Sequence, residues 1–143
     1  MRKEFGGNRR FDGRKLRMSN IGKRDKFLWN HYNNVPKMDD MQPHTLVKFL
    51  YGHLIEELLL FLTRASGHEV TAEQKQCEIK GITGSMDCKI DGVVTDVKSV
   101  SSYGFKKFKD GTLAYEDPFG YVAQITGYAK AEDQKRFARL AMD

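Results

Sequence analysis

Apolar residues fall into blocks with distinct periods along this chain, and the blocks predict its elements. From Thr45 to about Arg64 they cover most of a helical circumference, so a long and largely buried helix is expected. Gly67 follows it as a C′ residue. Ahead of it, Ser19 is placed to cap a shorter helix from about Ile21 to Tyr32, with Phe27, Leu28 and Trp29 as its apolar surface. A polar stretch around Pro36 to Pro43 joins the two. Beyond the long helix the period shortens to two. One strand is expected at about Lys75 to Lys80 and a second from Gly84 to Ile90. In the second, Met86, Cys88 and Ile90 take one face and Ser85, Asp87 and Lys89 the other. Asp91-Gly92 signals a two-residue hairpin turn, and Val93 to Val100 is the return strand. A Gly- and Lys-rich connection leads to a helix from about Phe119 to Ala131 and a last strand over Phe137 to Met142. This order predicts an α/β fold in which a mixed central sheet carries a three-stranded β-meander and is flanked by helices.

Length and composition then bound the class. The 143 residues suffice for one domain with a single core. The longest apolar run, Leu58 to Leu62, is far too short to span a bilayer, and the basic N-terminus lacks the apolar stretch of a secretory signal. Cys77 and Cys88 have no metal-ligand spacing, so neither structural zinc nor a disulfide framework is expected. No membrane association and a cytoplasmic location follow as expectations.

Charge adds a partner. Residues 1–26 hold ten Lys/Arg against Glu4, Asp12 and Asp25, a balance of +7; the overall +5 therefore leaves −2 on residues 27–143. Residues 1–18 read as a basic flexible arm and 19–143 as the folded domain. Such an asymmetry suits a polyanion, although a solvated tail would look the same.

The hairpin supplies candidate chemistry. With Asp91 and Gly92 as its central residues, paired numbers sum to 183 and Asp87 lies opposite Asp96 on one face, Cβ atoms roughly 5 Å apart. Like charges facing across a sheet destabilise it, whereas a hard divalent cation accepts both carboxylates. Lys98 projects from the same face, roughly 6–7 Å along the strand. An ordinary solvated sheet face could carry the same three residues. Val93, Val94 and Val97 beside them instead point to a central strand, where free charges are unusual.

At these residues the sequence resembles the PD-(D/E)XK nuclease superfamily. Gly84-Ser85-Met86-Asp87 followed by Asp96-Val97-Lys98 is similar to its paired signature, with Met86 where proline is usual. Tyr51-Gly52-His53-Leu54-Ile55-Glu56 resembles the helix that supplies a further acid. Gln124-Ile125-Thr126-Gly127-Tyr128 is similar to the Q-X-X-X-Y element of the RecB-type and lambda-exonuclease-like branch. Ser19 to Trp29 resembles the N-terminal helix of RecB-like and CRISPR-associated exonucleases; two cysteines are too few for the four-iron cluster some of them carry. Short domains of this kind occur in phage proteins.

The resemblance implies a restriction-endonuclease-like core and metal-dependent DNA hydrolysis, exonucleolytic in phage DNA processing or recombination. It gives Asp87, Asp96, the Val97 carbonyl and Glu56 to one or two Mg²⁺ or Mn²⁺ ions, and Lys98 to the attacking water. Asp87, Asp96, Lys98 and Glu56 are then the catalytic set. Gln124 and Tyr128, four apart on one helical face, would position the strand. Ser99, Ser101, Ser102, Lys106, Lys107 and Lys109 are candidate phosphate contacts. On a helical wheel Glu57, not Glu56, lies nearer the centre of the apolar face, so the residues and the resemblance point to different acids. Other readings are a non-catalytic nucleic-acid-binding domain of the same fold, a site-specific endonuclease, and an interaction protein whose hairpin acids hold a structural cation.

Overall fold

The structure is a computed structural model, and it describes residues 15–33, 35 and 42–143. The proposed arm falls mostly outside these residues. Its boundary at residue 18 moves, however, because Arg17 bridges to Thr83 and Met18 is fully buried. The folded unit therefore already includes both.

The chain forms a mixed α/β fold. Among the described residues, the helices α1 (Asp25–Tyr32), α2 (Pro43–Ala65), α3 (Ser102–Lys109) and α4 (Tyr121–Ala131) accompany β1 (Val70–Thr71), β2 (Gln76–Ile79), β3 (Ile82–Ser85), β4 (Cys88–Ile90), β5 (Val93–Ser99) and β6 (Phe137–Met142). Strands β1-β4-β5-β6 make a four-stranded sheet, antiparallel except for the parallel β5–β6 pair. β2 and β3 form a separate hairpin. Short 3₁₀ turns occupy Met18–Asn20 and Thr112–Ala114.

Each face of β5 buries a different cluster, as the period of two requires. Val97 and Cys88 pack with Leu59 and Leu60 of α2. Val94 and Met86 pack with Ile125 and Tyr128 of α4, together with Met18 and Cys77. The sheet thus lies between α2 and α4. Gln134 helps to align its parallel edge: its Oε1 accepts from Val94 N at 2.9 Å, and its Nε2 donates to the Gly92 carbonyl at 2.8 Å. Near the start of α4, two glycines meet. A Cβ on Gly120 would stand 2.7 Å from the Ile21 carbonyl, and one on Gly22 would stand 2.9 Å from Gly120 Cα. Both also have positive φ, so neither position accommodates a side chain.

Three expectations change. The strand expected over 84–90 breaks at Met86 and Asp87, where Met86 N donates to the Lys75 carbonyl rather than along a ladder. Its halves join different sheets, and Met86 and Cys88 enter opposite cores instead of sharing a face. The meander is therefore two hairpins. Ser19 caps no helix: it lies within the 3₁₀ turn, and α1 begins only at Asp25, behind Arg24. Finally, α2 has the expected extent but not the expected burial, for only Leu59 and Leu60 are buried.

Candidate functional site

The turn that builds the site follows the sequence. Asp91 and Gly92 have φ of 49° and 79°, the left-handed pair of a two-residue hairpin turn. Asp91 is held there by its carboxylate, which accepts from Glu69 N at 2.9 Å and lies 2.7 Å from His68 Nδ1. The pairs Ile90↔Val93, Lys89↔Val94 and Cys88↔Thr95 have the expected register.

Beyond Cys88 the ladder stops, and Asp87 uses its side chain instead. Its Oδ2 accepts from Val97 N at 2.8 Å, substituting for a strand carbonyl. This brings Asp87, Asp96, Val97 and Lys98 together. The Lys98 ammonium lies 2.8 Å from Asp96 Oδ1, 3.5 Å from Asp87 Oδ2 and 3.3 Å from the Val97 carbonyl. It therefore occupies the centre of the oxygen set that the resemblance assigns to a metal. Cross-strand repulsion between the acids is already relieved by this ammonium and by Val97 N–H, so repulsion alone does not require a cation.

Within this group the second oxygen of Asp96 is left over. Asp96 is 2% exposed, and its Oδ2 is buried without a hydrogen-bond partner among the described residues. Burial raises the Asp96 pKa to about 6; Lys98 opposes the rise and Asp87 adds to it. For Lys98 burial acts to lower the pKa, but Asp96 and Asp87 outweigh it, so the ammonium form is favoured. Asp87, Asp96 and the Val97 carbonyl each lie within 3.5 Å of the Lys98 ammonium, and such oxygens are the hard donors a divalent cation takes. The fit is incomplete. Among the described residues, no three His, Cys, Asp or Glu side chains stand close enough together to hold a metal ion.

Glu56 approaches this group without joining it. Its side chain is 31% exposed, lies 3.6 Å from His53 Nδ1, and has a raised pKa, chiefly from burial, with Lys98 lowering it and Asp87 raising it. Glu57 is exposed on the other side of the helix. The sheet-facing side of α2 is set by Gly52, whose Cβ position is 3.1 Å from Ser99 Oγ, and by Leu59. Glu56 shares that side, one turn from each. The wheel favoured Glu57 because it assumed that the most apolar arc is the buried one.

The remaining candidates separate. Tyr128 is 4% exposed and belongs to the core, its hydroxyl against Gly84 and hydrogen-bonded with Gln124, so its ring does not lie open to a nucleic acid. Gln124 is half-buried. Ser101 caps α3 by accepting from Gly104 N at 3.4 Å, and Lys107 is tied to Glu116 at 3.0 Å. Both are thus already engaged. Ser99 is half-buried beside Gly52, whereas Ser102, Lys106 and Lys109 are exposed.

Three residues were missed. Arg139 on β6 pairs in register with Asp96, so both project from the same face of the sheet. Its guanidinium sits 5.9 Å from the Phe108 ring and 6.0 Å from the Phe137 ring, and its Nε is buried without a partner among the described residues. Burial lowers its pKa, while Asp96, Asp117 and Tyr121 raise it. Asp117 accepts from Val122 N at 2.6 Å through Oδ2, and its Oδ1 is likewise buried and unpartnered. Tyr121 feels Lys98, Asp96 and Asp117, although burial is the largest cause of its raised pKa. No local pattern announces these residues, because the β5–β6 register exists only in the folded sheet.

Comparisons with protein-family models, with curated proteins and with solved structures found no match.

Proposed function

We propose that this chain is a divalent-metal-dependent DNA phosphodiesterase of the PD-(D/E)XK type with a restriction-endonuclease-like core. The observation that carries this reading is Asp96: a buried carboxylate with one orphaned oxygen, adjoining Asp87, the Val97 carbonyl and Lys98. Lys98 already pairs the charge through Oδ1, so a cation would add a partner for the remaining oxygen, since a buried polar atom without one is costly.

In this reading Asp87, Asp96 and the Val97 carbonyl would hold Mg²⁺ or Mn²⁺, with Glu56 contributing from α2. The ion, when bound, polarises the phosphoryl oxygen and makes water a stronger nucleophile. Lys98, beside these oxygens, would stabilise the negative charge that develops on the attacked phosphate. Asp87 keeps Val97 N–H engaged, which fixes the strand and its carbonyl. Tyr128 and Gln124 support the site from behind through Gly84 and each other, a positioning role rather than the direct DNA contact expected from the sequence. The fit to the Q-X-X-X-Y pattern favours exonucleolytic processing, and a phage setting accords with it. No helix among the described residues is long and apolar enough to cross a membrane.

The test is digestion of linear and closed-circular DNA with Mg²⁺, Mn²⁺ or EDTA. Wild type should degrade DNA only with metal, and Asp96→Ala and Lys98→Ala should each lose at least about 100-fold in rate. Loss of linear DNA alone would identify an exonuclease, and nicking of circles an endonuclease. Undiminished cleavage by both variants, or DNA binding without cleavage by wild type, would sink the reading.

A further inference from the structure

The outer side of α2 carries apolar side chains that no other described residue buries. Val47, Tyr51, Leu54, Leu58 and Phe61 are 47–65% exposed, and Ala65 is exposed as well. Their spacing is four, three, four, three and four residues, the repeat of a helix–helix seam. With their neighbours on the helix they present on the order of 800 Å² of apolar surface, taking roughly 150–200 Å² for each large side chain fully exposed. That exceeds the roughly 300–600 Å² of the largest patch on a typical monomer and matches the ~800 Å² each partner gives to a standard interface.

The seam is also its own complement. Laid antiparallel against an identical helix about a two-fold axis level with residue 56, Val47 meets Ala65, Tyr51 meets Phe61 and Leu54 meets Leu58. Small faces small, aromatic faces aromatic and leucine faces leucine. No charge lies on the seam itself; Glu57 borders it one residue from the two-fold axis, where the symmetry sets it beside Glu57 of the second copy. Lys48 lies on one edge with Ile55 and Leu62, and Arg64 on the other, where it is already paired with Glu73.

We propose that this protein forms a two-fold symmetric dimer through α2, packed antiparallel on α2 of a second copy. The inner side of the same helix carries Glu56 toward the hairpin, so the pairing leaves the candidate site open and does not depend on its chemistry.

Sedimentation equilibrium on the full chain tests this. Wild type should be dimeric in the micromolar range. Leu54→Lys and Leu58→Glu should each become monomeric, their association weakened at least about 100-fold. Both side chains are exposed in the protomer, so circular dichroism and melting should show the fold retained. The double variant L54K/L58E should recover the dimer, because position 54 meets position 58 of the other copy. A monomeric wild type, or single variants that remain dimeric, would overturn the proposal. A dimeric wild type whose double variant stays monomeric would overturn the antiparallel register.

Discussion

Asp96 sets the electrostatics of the hairpin, and its burial makes the apo protein pH-sensitive. The folded state retains the Asp96 proton to about pH 6, whereas the unfolded chain releases it near the ordinary 3.8. Between those values the folded state binds the extra proton, so this contribution to stability is complete below about pH 4 and is lost as pH rises through 6. The change should amount to about 1–3 kcal/mol in EDTA, read from urea denaturation at pH 4.5 and 7. Asp96→Asn should flatten it. Excess Mg²⁺ should stabilise wild type at pH 7 and leave Asp96→Asn unchanged, as binding to the folded state alone requires. Equal stabilisation of both proteins would place the ion elsewhere.

The β4–β5 hairpin depends on elements that approach from outside it. Glu132, just past α4, accepts from Lys75 at 2.8 Å and Lys89 at 2.7 Å, joining the end of the helix to β4 and to the approach to β2. These two ammonium groups lower its pKa from 4.5 to about 2. Here the sign is opposite to that of Asp96. The contribution is complete above about pH 4.5 and is lost as pH falls toward 2. Glu132→Gln should therefore cost roughly 2 kcal/mol at pH 7, after allowance for screening of the exposed Lys75, and close to nothing near pH 2. An equal loss at both pH values would show that shape, not charge, is what Glu132 supplies.

At the scale of the whole molecule, positive charge is concentrated near the N-terminus. Residues 1–14 hold Arg2, Lys3, Arg9, Arg10 and Arg14 against Glu4 and Asp12, a balance of +3. Because Met18 is part of the core, the informative deletion stops at residue 14. It should weaken DNA binding and reduce the slope of log affinity against log salt by about 2–3, measured by fluorescence anisotropy. An unchanged slope would mean that the segment makes no phosphate contacts.

The sequence by itself determined what is local. A two-residue turn with a period-two strand on either side has one register, so the pairing as far as Cys88 with Thr95, and the shared side of the sheet for Asp96 and Lys98, follow from Asp91-Gly92. The extents of α2, α4 and β6 were legible for the same reason, since helix and strand periods are written in consecutive residues. Tertiary structure decided the rest. It broke the strand at Met86 and Asp87, because backbone groups there find partners in Lys75 and Gln74. It turned Glu56 rather than Glu57 toward the hairpin, because the packing of Gly52 and Leu59 sets the rotation of α2. It put Lys98 between the acids, and it brought Arg139 beside Asp96 across a parallel pair separated by forty-three residues of chain. Such contacts depend on which surfaces meet, and surface area removed from water is a property of the assembled fold rather than of any segment.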